Sequence, residues 1–147
     1  MKESARIALS YVRAHAAQLG IDDAVLERSI HLHVPAGAVP KDGPSAGVTM
    51  VTALVSMATG NPVRSDVAMT GEVTLNGRVL PIGGVKQKLL AAQRAGVKTV
   101  FIPKRNEPDL DDVPAEIRAE LDVRPVADVA EILGYALSAM EPAVAAA

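Results

Sequence analysis

Apolar residues recur along this chain in more than one rhythm, and each change of rhythm marks an element. Over residues 3–19, Ala5, Ala8, Val12, Ala16 and Leu19 fall at spacings of three and four, with Ile7 beside them and Gly20 after. That pattern predicts an amphipathic helix with a glycine stop. Ile30-His31-Leu32-His33-Val34 alternates strictly, as a half-buried strand does, and Pro35 ends it. A loop rich in Gly and Pro covers residues 36–44. Residues 45–59 predict a strongly apolar helix that stops at Gly60-Asn61-Pro62. Residues 67–75 predict a strand, Asn76-Gly77 a hairpin turn, and residues 78–82 the returning strand. Gly83-Gly84 releases a helix that runs to Ala95 and closes at Gly96. A short strand over residues 99–102, an acidic surface helix over 110–121, a strand over 123–126 and a helix over 127–140 complete the pattern. Strands and helices alternate around one hairpin, which predicts an α+β (mixed α/β) fold: one domain, a small mixed sheet and flanking helices.

Composition narrows what such a domain does. Aromatic residues are only 2% of the chain, so the core is aliphatic and stacking platforms for single-stranded nucleic acid are excluded. A net charge of −2 with no basic block argues against a duplex-binding surface. The absence of cysteine removes disulfides, thiolate nucleophiles and cysteine-rich zinc sites together. The first residues lack the apolar stretch of a signal peptide, and the apolar run over residues 48–58 is about half the ~20 residues of a membrane span. The expectation is a soluble, cytoplasmic domain with no membrane or nucleic-acid partner.

Candidate chemistry concentrates in Pro40-Lys41-Asp42-Gly43-Pro44-Ser45-Ala46-Gly47. The sequence places Ser45 at the first turn of a buried helix, where free amides and the helix dipole favour a developing oxyanion. Pro44 has no N–H, so the donors there are the backbone of Ser45, Gly43 and Asp42. A serine at a helix start is equally an ordinary N-cap. A nucleophile also needs a base. His31 and His33 share one strand face, a spacing that fits a metal pair or simply the lining of the sheet. No accompanying Cys or Glu has zinc-ligand spacing, so no metal is expected. In the helix after Gly84, at roughly 100° per residue, Val85, Leu89, Ala92 and Ala95 form an apolar arc that contains Lys88 and excludes Lys86. Desolvation disfavours an ammonium. Bringing a lysine from about 10.4 to near 7 corresponds to roughly 4–5 kcal/mol of destabilised charged form. A neutral lysine accepts a serine proton; a lysine that snorkels from the helix edge fits the same pattern. Thr70 lies on the strand between these elements, with Glu72 and Thr74 on its face.

Three stretches carry a resemblance: PKDGPSAG (residues 40–47), TGNPVRSDVAMTGEVTLNGRVLPIGGVKQKLLAA (residues 59–92) and, more loosely, GVKTVFIP (residues 96–103). Together they resemble the proteolytic domain of the Lon family of ATP-dependent proteases, over most of the chain. The resemblance implies a serine–lysine dyad of Ser45 and Lys88, with an oxyanion held by the backbone at Gly43 and Ser45. It places Thr70 beside the lysine and Asp42, Glu72, His31 and His33 around the site. It further implies unfolded or damaged protein substrates, an AAA+ ATPase module on the same polypeptide that uses ATP and Mg²⁺, and a homohexamer. This chain has no G-x-x-x-x-G-K-[ST] phosphate loop, so it needs no cofactor of its own. The domain is expected over residues 1–140 without the family's usual first strands, and residues 141–147 as a disordered tail. Two rival readings are a catalytically silent Lon-like docking module and a phosphate cradle of the small-molecule kinase kind.

Overall fold

The computed structural model describes residues 1–41 and 43–137. Its helices are α1 (Lys2–Ala14), α2 (Asp23–Leu26), α3 (Gly47–Thr59), α4 (Val85–Arg94), α5 (Ala115–Glu120) and α6 (Val129–Ala136). Its strands are β1 (Val67–Met69), β2 (Glu72–Val73), β3 (Val79–Leu80), β4 (Thr99–Pro103) and β5 (Asp122–Val126), and a 3-10 helical stretch covers Lys104–Asp112. Strand β4 lies between β1 and β5 in a parallel sheet, with Val67 opposite Thr99 and Thr99 opposite Asp122. All of its side chains are buried. They alternate between two cores, as the pleat requires. Phe101 joins Val12, Val51 and Ile132 on the side of α1, α3 and α6, whereas Val100 and Ile102 join Leu89, Val113 and Leu121 on the side of α4. A parallel strand covered on both faces reads as an unbroken apolar run, which Val100-Phe101-Ile102 is. The α+β expectation holds: three parallel strands, a two-stranded antiparallel ribbon of β2 and β3, and helices packed around them. No helix among the described residues is long and apolar enough to cross a membrane.

The differences from the sequence reading have physical causes. The strand expected over residues 67–75 is two strands in two sheets, β1 and β2, because the ladder with β4 ends at Thr70 and Gly71 turns to the segment that carries Ser45. Thr70 N–H donates to the Phe101 carbonyl (3.0 Å) and Gly71 N–H to the Ser45 carbonyl (2.8 Å). The acidic helix over 110–121 is divided. Val113 is extended (φ −90°, ψ 130°) before Pro114, as a residue preceding proline prefers, and α5 starts afterwards. The first helix ends at Ala14, and α2 escaped the periodicity although Asp22 caps it through the Ala24 amide (2.9 Å). Segment 30–34 joins no sheet among the described residues. Its alternation is real, but Leu32 and Val34 remain 38% and 36% exposed. The last helix opens at a capping box of Asp128 and Glu131. The part expected over residues 138–140, and the tail beyond, lie outside the described residues.

Gly71 stands where the two sheets part. A Cβ there would lie 2.7 Å from Val79 Cγ1 and 3.2 Å from Val48 Cγ1, both branched side chains with little freedom. Gly71→Ala is therefore expected to cost about 1–3 kcal/mol through overpacking, read as a lower urea midpoint at unchanged slope. An unchanged midpoint would show that the two valines yield without strain.

Candidate active site

Two glycines decide where Ser45 sits. Gly47 opens α3, and a Cβ on it would lie 2.8 Å from the Val73 backbone nitrogen, so only glycine lets the helix end abut β2. Across that contact Val48 N–H donates to the Gly71 carbonyl (3.2 Å), while Gly71 N–H donates to the Ser45 carbonyl. Thr70 Oγ1 donates to that same carbonyl at 3.4 Å. Ser45 is thus held by its backbone from a segment 25 residues away, leaving its side chain unengaged by these bonds.

The helix begins at Gly47 rather than at Ser45, and its N-cap is Ala46 with no side-chain cap bond, so Ser45 is not the N-cap. Nor are the first helical amides open to an anion. Gly47 N–H donates to the Pro44 carbonyl (3.1 Å) and Val48 N–H to Gly71. The expected oxyanion donors are therefore confined to the turn before the helix. There Gly43 adopts φ +109°, a conformation that suits glycine, and is half-buried. Asp42 lies outside the described residues.

Lys88 rides on α4, whose Val85, Leu89 and Ala92 are buried against β4. As the apolar arc required, Lys88 is half-buried and Lys86 exposed. Burial pushes the Lys88 amine below its ordinary value of 10.5. Ser45 and Lys88 line the same cavity of about 300 Å³, with Ala68, Met69, Thr70 and Ala91 among its walls. They also meet in a second cavity of about 380 Å³, bounded by Pro44, Pro81, Ile82 and Gly83. No hydrogen bond joins the two side chains, and the Thr70 hydroxyl bonds to the Ser45 carbonyl rather than to the lysine amine.

The remaining expected residues stand apart from these cavities. Glu72 is half-buried on β2, with Leu80 as its cross-strand partner. His31 and His33 are exposed on the segment that joins no sheet. No group of three or more His, Cys, Asp or Glu side chains comes together as a metal site among the described residues. The sequence reading missed the apolar walls of the first cavity. Ala68, Ala91 and Ala92 are small where a strand and a helix face each other, and that smallness is the one signal that they border a space.

Because burial penalises the ammonium, the folded chain binds the Lys88 proton less tightly than the unfolded chain does. The penalty is full below the folded pKa and fades as pH rises from there to 10.5, above which both states hold the neutral amine. Lys88→Met is therefore expected to be more stable than the parent at about pH 7, with the margin shrinking at alkaline pH. Paired urea titrations across that range read the margin, and one that grows with pH would contradict the burial of the amine.

The sequence matches the family described as the Lon protease (S16) C-terminal proteolytic domain over residues 1–139. It is 76% identical to the Lon protease of Mycolicibacterium smegmatis over 147 residues, which is 100% of this chain and 19% of that protein. Against the Lon protease of Salinispora arenicola (strain CNS-205) the identity is 68%, over 93% of this chain and 18% of that protein. Against the Lon protease of Escherichia coli (strain K12) it is 60%, again over 93% and 18%. The chain spans about a fifth of the length of these relatives. Such similarity over the whole chain, on a fold that gathers the serine and the lysine of the shared motifs at one cavity, places this protein in the Lon protease C-terminal proteolytic domain family.

Proposed function

We propose that this serine peptidase domain works through a dyad of Ser45 and Lys88. The observation that carries the proposal is that the desolvated amine and the serine line one cavity. A lysine whose pKa is lowered holds more of its population neutral near pH 7, which is the form a general base needs. In apo sites a nucleophile and its base commonly stand beyond hydrogen-bond reach until substrate binds, so the missing Ser45–Lys88 bond fits this role.

On this reading Ser45 Oγ attacks the peptide carbonyl while its proton passes to Lys88 Nζ. The backbone at Gly43 and Ser45 holds the tetrahedral oxyanion. The Lys88 ammonium then returns the proton to the departing amine, leaving an acyl-enzyme. Neutral again, Lys88 takes a proton from water as the hydroxyl attacks the ester, and when that intermediate collapses the ammonium returns the proton to Ser45 Oγ while the acid product leaves. Thr70 and Gly71 act before any of these steps, by fixing the Ser45 carbonyl. Asp42, Glu72, His31 and His33 take no part in this proton path.

The apolar walls of Ala68, Met69 and Ala91 suit aliphatic side chains. Folded proteins bury such side chains, so the substrates are unfolded or damaged proteins. The longer polypeptide then supplies an AAA+ ATPase module, where ATP and Mg²⁺ act, and assembles as a cytoplasmic homohexamer. The chain's share of its relatives' length leaves room for that module.

The test is labelling with a serine-directed acylating peptide or a peptide boronate, located by peptide mass spectrometry across about pH 6–9. The expected result is modification at Ser45 that disappears in Lys88→Ala, together with a loss of peptide turnover of about 10⁴-fold or more. Turnover that survives Lys88→Ala would overturn the dyad. An intact fold with no labelling, alone and within the longer polypeptide, would favour a catalytically silent docking module.

A further inference from the structure

Asn106 is a buried polar side chain, 5% exposed, that the dyad does not use. It lies in the 3-10 stretch after β4, and three hydrogen bonds occupy its amide. Its Oδ1 accepts from the Ile82 N–H at 2.9 Å, and its Nδ2 donates to the Ile82 carbonyl at 2.8 Å. Nδ2 also donates to Asp109 Oδ2 at 2.7 Å. A side-chain amide that meets both backbone groups of one residue does there what a neighbouring strand would do. It ties Ile82 to a position 24 residues further along the chain.

The tied residue matters because of where it stands. Ile82 walls the cavity that also contains Ser45 and Lys88. Immediately after it come Gly83, with nothing within 4 Å of where a Cβ would lie, and Gly84, the N-cap of α4 at φ +74°. The Lys88 N–H in turn hydrogen-bonds the Gly84 carbonyl at 3.1 Å. Val85 and Leu89 pin the helix to β4 from below, but two glycines cannot hold the turn ahead of it. We infer that Asn106 is a positioning residue for the peptidase reaction: by clamping Ile82 it fixes the turn over residues 81–84, and with it the wall facing Ser45 and the start of the helix that carries Lys88. This rests on the dyad reading proposed above. On that reading a bound peptide lies between that wall and Ser45, so loosening the clamp misaligns the substrate rather than releasing it.

The role separates from simple stability by its kinetic signature. In the full polypeptide, Asn106→Ala is expected to lower kcat for a fluorogenic peptide by about tenfold to a hundredfold, the usual scale for a small misplacement at a reacting centre, with KM little changed. The acid limb of the pH–rate profile is expected to move to higher pH as water reaches the Lys88 amine. Ile132→Ala, fully buried in the other core, serves as a variant of lowered stability. At temperatures where it is folded it is expected to keep the parent kcat and pH profile. Equal kcat in Asn106→Ala and Ile132→Ala, or a loss confined to KM, would overturn the inference. Should Asn106→Ala not fold, Asn106→Asp keeps the bond accepted from the Ile82 N–H and loses the one donated to the Ile82 carbonyl. A partial fall in kcat with the same direction of pH shift supports the clamp, and parent kinetics would overturn it. Lys88→Ala is measured alongside. Its retaining turnover would sink the dyad itself, whereas its inactivity beside an unaffected Asn106→Ala would sink only the clamp.

Discussion

The whole arrangement turns on a backbone exchange between Gly71 and the turn that carries Ser45. Gly71 donates to the Ser45 carbonyl and accepts from the Val48 amide, so one residue of a strand break secures both ends of the turn. Each bond alone contributes only about 0.5–1.5 kcal/mol net, but leaving such buried groups unpaired costs about 1–3 kcal/mol each. The exchange also demands close approach. Neither Gly47 nor Gly71 tolerates a Cβ without displacing a neighbour, so the two glycines of the shared motifs face one another for a steric reason. From this contact follow the start of α3, the division of β1 from β2, and the turning of Thr70 into the cavity.

Lys88 depends on the other half of the molecule. Lys88 is desolvated because Val85, Leu89 and Ala92 seat α4 on Val100 and Ile102. Packing that stabilises the fold therefore also holds an amine where its charged form is disfavoured. Strand β4 links the two halves, since Phe101 belongs to the core beneath α3 and its neighbours to the core beneath α4. The serine is set by backbone bonds and the lysine by apolar burial, and one buried strand keeps the two in register.

Much of this was legible in the sequence where the signal is local. The hairpin at Asn76-Gly77, the unbroken apolar run of β4 and the arc that separates Lys88 from Lys86 each need only a short window. What escaped depends on partners distant in the chain. Nothing near Gly71 announces that its amide leaves the sheet for the Ser45 carbonyl. Ser45 read equally well as an N-cap until its carbonyl, rather than its hydroxyl, proved to be the anchored group. The alternation of residues 30–34 described a strand correctly in pattern, but pairing needs a neighbour that no local pattern supplies. Asn106 gave no signal at all, because a polar residue in an acidic stretch looks solvated until its amide is seen against Ile82.

Ser45, Thr70, Lys88 and Asn106 come from four segments of the chain, and contacts across 25 and 24 residues join Ser45 to Thr70 and Ile82 to Asn106. Parallel strands with intervening helices close late, since the entropy of the long crossovers must be overcome before the pairing rewards it. The cavity therefore cannot form before β4 has been made, since Val100 lines it. Until β4 is seated, the serine has no anchored carbonyl and the lysine no apolar bed. Its serine and its lysine come to one cavity only with the finished fold.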